Sequence, residues 1–110
     1  MKNLDIAVID PAEIHYYQPG WTMVGGGIFA PEKTVRTMAS LMPKQVHWIE
    51  AAVAAFDPDN KQVLLEGCKP INYEVLVVCP GLKLNWHGIE GLVETLGKKG
   101  VTSNYRYDLA

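Results

Sequence analysis

Few side chains in this 110-residue chain could carry chemistry. Cys68 and Cys79 are its two cysteines, and His15, His47 and His87 its three histidines. The thiols lack the C-x-x-C spacing of a redox or zinc pair and are too few for a disulfide scaffold. They read as reduced thiols of a protein from inside the cell. The histidines are too scattered to form a metal site, and no metal is expected. One carboxylate stands out by position. Asp10 closes the apolar run Ile6-Ala7-Val8-Ile9, which puts it at the carboxyl end of a strand, the edge where open α/β sheets bind ligands. Gly25-Gly26-Gly27-Ile28-Phe29-Ala30 satisfies G-x-G-x-x-A, with Glu50 at about the spacing of a ribose-binding acid. A phosphate cradle needs a buried strand before its glycines and a helix opening from within them, because helix N-terminal amides face the phosphates. Pro19 and Gly20 interrupt the strand side, and Pro31 sets the next helix start too late. The stretch therefore reads as an aromatic, glycine-rich loop with one short helical turn.

The elements that must position these residues follow from periodicity. Ile6 to Ile9 predicts a strand buried on both faces, as in a parallel sheet, ended by Pro11. Val35, Met38, Ala39 and Met42 recur at i, i+3, i+4 and i+7 between Pro31 and Pro43, which predicts a helix over 31–42. Residues 46–56 read as a strand with an alanine-rich middle, closed by the turn Asp57-Pro58-Asp59-Asn60. Gln62 to Leu65 resumes extended structure before a break at Gly67 to Pro70, giving a hairpin or three-stranded meander. Val75 to Cys79 predicts a second central strand, stopped by Pro80-Gly81, and Ile89 to Lys99 a short helix. No repeat, low-complexity segment or shift in composition divides the chain. One α/β domain over 1–110 is expected.

Composition excludes several classes. A hydrophobic share of 48% argues against disorder, and a formal net charge of −2 against a nucleic-acid binder relying on bulk positive charge. No apolar run approaches the ~18 residues of a membrane span. The start, Met1-Lys2-Asn3-Leu4-Asp5, carries charge where a signal peptide needs an apolar region.

Three stretches carry a family resemblance. The first is Ile6-Ala7-Val8-Ile9-Asp10-Pro11 with His15-Tyr16-Tyr17-Gln18-Pro19-Gly20-Trp21-Thr22 and the glycines at 25 to 27. The second is Trp48-Ile49-Glu50-Ala51-Ala52-Val53 running to Asp57-Pro58, and the third Ile71-Asn72-Tyr73-Glu74-Val75-Leu76-Val77-Val78-Cys79-Pro80-Gly81, continued by Ser103-Asn104-Tyr105. Together they resemble the FAD-dependent pyridine nucleotide-disulfide oxidoreductases and, within them, the mitochondrial-like sulfide:quinone oxidoreductases. The resemblance implies a partial FAD/NAD(P)-binding, Rossmann-like α/β domain with a hairpin or meander insertion. It implies that Asp10 accepts hydrogen bonds from the adenosine ribose and that the Val53 backbone pairs with the adenine edge. It further implies that the Gln18 amide reaches the flavin nucleotide and that Gly81 lets the backbone approach the cofactor.

The chain departs from the family pattern in two places. The family's phosphate-binding G-x-G-x-x-G lies before the strand ending at Asp10, and nine residues precede Asp10, so the first βα unit is expected to be missing. The family's redox cysteines belong largely downstream, and neither Cys68 nor Cys79 takes a catalytic role. The expectation is a fragment of an enzyme that passes electrons from sulfide through FAD to quinone, itself inactive and without retained FAD. Alternatives are another flavoprotein of the superfamily, such as a type II NADH dehydrogenase, or a cofactor-free binding or assembly module. The open edge of the Ile6 to Ile9 strand predicts self-association. The expected location is cytoplasmic, peripheral to the membrane in the intact protein, with no nucleic-acid partner.

Overall fold

A computed structural model describes residues 4–110. In chain order its strands are β1 (Ile6–Ile9), β2 (Ile14–Tyr16), β3 (Val35–Thr37), β4 (Val46–Ile49), β5 (Val53–Asp57), β6 (Gln62–Leu65) and β7 (Ile71–Asn72). The helices are α1 (Trp21–Gly25), α2 (Met38–Leu41) and α3 (Leu92–Thr95), each of about one turn, with 3-10 turns at Gln18–Gly20, Pro31–Thr34 and Trp86–Gly88. The chain forms two compact units, one from the residues up to His15 with Thr37–Cys79, the other from Tyr16–Arg36 with Pro80–Ala110. The short strands β2 and β3 pair with each other.

In the first unit β1 lies parallel to β4, with Ile6 opposite Val46 and Ile9 opposite Ile49. β5, β6 and β7 form an antiparallel meander in that order. The core is Ala51, Val63 and Leu65, with Ile9, Ile49, Ile71, Tyr73 and Leu76 packed against it. Val63 is 2% exposed, and its burial contributes roughly 1.5–3 kcal/mol. The turn after β5 forms as the sequence predicts. Asp57 accepts from the Asn60 amide group at 2.8 Å and from its backbone N–H at 3.2 Å, and these bonds hold the Asp57 carboxyl below the usual carboxylate range.

Five elements depart from expectation. The helix over 31–42 is a 3-10 turn, a strand and one α-turn. Thr34, Val35 and Thr37 resist helix at χ1, the Thr34 hydroxyl donates back to the Pro31 carbonyl at 2.8 Å, and the Met38 N–H is drawn to the Glu13 carbonyl. Residues 46–56 are two strands, because Ala51 turns its N–H onto the Ile49 carbonyl at 2.9 Å and sends the chain from the parallel pair into the meander. The segment 89–99 keeps only α3, confined between Gly91 and Gly97, both at positive φ. Val75 to Cys79 is not a strand, and Val75 and Val77 are 84% and 78% exposed. None of the described strands supplies it with a hydrogen-bonded neighbour. β1 is likewise not buried on both faces, since Ile6 and Val8 are exposed.

The second unit is organised around Trp21. Its ring meets Tyr16 edge-on at 6.2 Å and Tyr107 at 6.2 Å, and Tyr16 meets Tyr107 at 4.9 Å between centroids. The Trp21 indole N–H donates to Thr34 Oγ1 at 3.2 Å, and the Thr34 carbonyl accepts from the Tyr17 N–H at 2.8 Å. Thr34 is 3% exposed and Trp21 7%, so the indole N–H depends on that hydroxyl. Thr34→Val keeps the shape, removes the acceptor and should cost about 1–3 kcal/mol, read as a lowered urea midpoint followed by Trp fluorescence. An unchanged midpoint would show that the indole bond contributes nothing.

Candidate functional site

Asp10 follows β1 directly and is half-buried. Its backbone is held on both sides: the N–H donates to the Ile49 carbonyl at 3.2 Å, and the carbonyl accepts from the Trp48 indole N–H at 2.9 Å. Its Oδ1 accepts from the Ala12 N–H at 2.8 Å, a local turn that closes over Pro11 and leaves Oδ2 available as an acceptor. The acid is therefore presented at a strand's carboxyl end in one fixed backbone geometry. Nothing in the sequence beyond the family resemblance singles out Trp48. Its role becomes legible from the parallel register, which sets Trp48 opposite Val8, two residues before Asp10.

Val53 begins β5, the outer strand of the meander. Its pairing with Leu65 is of the non-hydrogen-bonded kind, because the Glu66 N–H donates to the Ala52 carbonyl at 2.9 Å. The N–H and C=O of Val53 are consequently directed away from β6, toward the sheet's outer edge. A register shift between Val53 and Ala55 restores ordinary pairing beyond it, so one bulge isolates this outward-facing peptide. Asp10 and Val53 lie in the same unit, joined through Ile49 and the turn at Ala51.

Gln18 and Gly81 belong to the other unit. Gln18 opens the 3-10 turn before α1, and its Nε2 donates to the Asn104 carbonyl at 3.2 Å. Gly81 adopts φ +76°, a conformation that L side chains rarely adopt, with open space where a Cβ would project. A cleft of about 390 Å³ in this unit is bordered by Val24, Gly25, residues 102–104 and the last two residues, and takes in neither Gln18 nor Gly81.

The glycines at 25 to 27 end a helix. Gly27, at φ +72°, donates to the Val24 carbonyl at 2.8 Å, and Ile28 donates to the Met23 carbonyl at 2.8 Å. This is a Schellman closure of α1, in which the amides around the glycines satisfy C-terminal carbonyls. They face the negative end of a helix dipole, the opposite of what a pyrophosphate needs. Cys68 and Cys79 are both exposed free thiols.

No family model matches the chain. Proteins named "Sulfide:quinone oxidoreductase, mitochondrial" from Dictyostelium discoideum and Mus musculus are 47% and 36% identical to it, over 94% and 92% of its length. The X-ray structure of the sulfide:quinone oxidoreductase from Aquifex aeolicus matches 86% of the chain with a TM-score of 0.72 at 29% identity. By sequence and by structure the chain is similar to part of the sulfide:quinone oxidoreductases. It spans 23% and 22% of the length of those two curated relatives and 22% of the solved chain, and so corresponds to one segment of a sulfide:quinone oxidoreductase. Its mixture of short helices and strands resembles part of that structure. These relatives favour the sulfide:quinone branch over the type II NADH dehydrogenase alternative.

Trp48→Phe removes the indole donor from the Asp10 carbonyl while keeping an aromatic ring in the first unit. The expected cost is about 0.5–1.5 kcal/mol, with faster hydrogen exchange at Asp10 and Ala12. Exchange at those two amides equal to that of the parent chain would show that Trp48 does not hold the acid's backbone.

Proposed function

We propose that residues 1–110 are a partial, Rossmann-like FAD-binding domain of a sulfide:quinone oxidoreductase. The proposed whole enzyme takes two electrons from sulfide and delivers them to quinone. FAD, when bound, would supply the two-electron carrier, and the protein its orientation and electrostatics. In the first unit, Asp10 would accept from the ribose hydroxyls and the outward peptide of Val53 would pair with the adenine edge, which offers both a donor and an acceptor. In the second, Gln18 would contact the flavin nucleotide and Gly81 would allow close backbone approach. The observation that carries this reading is the pairing of a fixed acid with an outward-facing peptide in one unit. A cofactor-free assembly module would need neither.

The residues present suit the adenosine end of FAD better than its pyrophosphate. Gly25, Gly26 and Gly27 are committed to closing α1, and no G-x-G-x-x-G stands between Met1 and Asp10. Asp10, Val53, Gln18 and Gly81 alone are weak holders of a dianionic diphosphate. The purified chain is therefore expected to be colourless and to show no sulfide-dependent quinone reduction. A yellow preparation with flavin absorbance, or turnover by the chain alone, would overturn that part of the proposal.

Peripheral attachment of the whole protein to a membrane belongs to the same reading, since quinones are lipid-soluble. No described helix is long and apolar enough to cross a membrane. Self-association is a further part of it. β1 pairs on one side only among the described strands, and its exposed Ile6 and Val8 share a unit with exposed Val75 and Val77. Such an edge recruits a second strand. A dimer or larger species is expected by sedimentation at micromolar concentration, and a monomer would count against it.

A further inference from the structure

The second unit holds Gln18 by a route that a cofactor contact at Gln18 does not itself require. The Asn104 backbone carbonyl can only accept a hydrogen bond, so the Gln18 atom 3.2 Å from it must be the NH₂ nitrogen. Of the two possible orientations of the Gln18 amide, this excludes the one with Oε1 toward Asn104. Asn104 is itself tethered, its Nδ2 donating to Thr22 Oγ1 at 2.9 Å. Three residues further on, Tyr107 packs on both Tyr16 and Trp21, and the flanking Arg106 and Asp108 side chains bond each other. Residues 104–108 thus reach the Tyr16–Thr22 block at several points, and one of those contacts ends on the Gln18 side chain.

We propose that Asn104, held by Thr22, is a positioning residue that fixes the Gln18 amide with Oε1 outward. Gln18 then presents Oε1 together with its second Nε2 proton, and the ligand group it suits both donates and accepts, as a hydroxyl does, in preference to a phosphate oxygen or a carbonyl, which only accept. The ligand half of this inference rests on the proposed cofactor role of Gln18; the orientation half does not.

Side-chain NMR of the 110-residue chain tests both. Asn104→Ala and Thr22→Val keep the backbone carbonyl that accepts from Gln18 but remove the side-chain bond that holds it in place, so each should speed solvent exchange of the Gln18 Nε2 protons by up to about tenfold, the equivalent of that one lost hydrogen bond. Thr22→Ser, which keeps the hydroxyl, should restore the slow rate. The Trp21 indole N–H, bonded to Thr34, reports folding and should not move. Unchanged Gln18 exchange in both variants would overturn the proposal, as would loss of the Trp21 signal in step with that of Gln18, since Asn104 would then only support the fold. FAD added at millimolar concentration to the parent chain should shift the Gln18 side-chain carbonyl carbon as Oε1 accepts a bond. A held amide with no response to FAD would overturn the cofactor reading of Gln18 and support the orientation alone.

Discussion

An extended apolar segment becomes a strand when another backbone takes its N–H and C=O groups, and this constraint governs the first unit. Ile6 to Ile9 and Val75 to Cys79 are similar runs by composition. The first finds Val46 to Ile49 and becomes β1 of a parallel pair; the second finds no neighbour among the described strands and stays irregular and exposed. The parallel register then sets the site. With Val8 opposite Trp48, the indole reaches the Asp10 carbonyl, and the Asp10 N–H falls on Ile49. The position of the acid is a consequence of strand pairing, and its own side chain contributes only the local turn at Ala12.

The same unit gives the Val53 peptide its direction. A strand peptide faces its neighbour or faces outward, and the choice alternates along the chain. The Ala51 turn and the bulge after Val53 act together here: one starts β5 in a register that points Val53 outward, and the other returns the strand to ordinary pairing by Ala55. Two backbone irregularities thus leave one peptide facing outward at the sheet's edge without any polar side chain.

The second unit depends on a buried polar centre. Thr34 takes the Trp21 indole proton on its hydroxyl and the Tyr17 amide on its carbonyl, and passes its own hydroxyl proton to Pro31. Gly20 is buried at the same place, where a Cβ would lie 3.0 Å from the Thr34 methyl and 3.1 Å from the Tyr17 ring, so glycine is needed here for space. The glycines at 25 to 27 serve backbone conformation instead, as the end of α1. A G-x-G-x-x-A pattern and a Schellman closure draw on the same residue type for opposite ends of a helix. Pro19, Gly20 and Pro31 already argue against the cradle in the sequence, and the hydrogen bonds show which end of the helix the glycines serve.

Sequence alone determined the local features. It marked β1 and its closing acid, the Asp57-Pro58-Asp59-Asn60 turn, the meander through β6, the break at Gly67 to Pro70 and the family resemblance. Each depends on neighbours in the chain: an apolar run, a proline, an Asx side chain bonding its own backbone. What sequence misjudged were elements whose outcome is set at a distance. The 31–42 periodicity fits a helix, yet the Glu13 carbonyl and the β2 strand draw that segment into extended form. Val75 to Cys79 has strand composition but no partner among the described strands. The Trp48 bond to Asp10, the outward peptide of Val53 and the Asn104 contact to Gln18 were decided by tertiary structure alone, because each joins groups whose closeness arises from strand register or chain return.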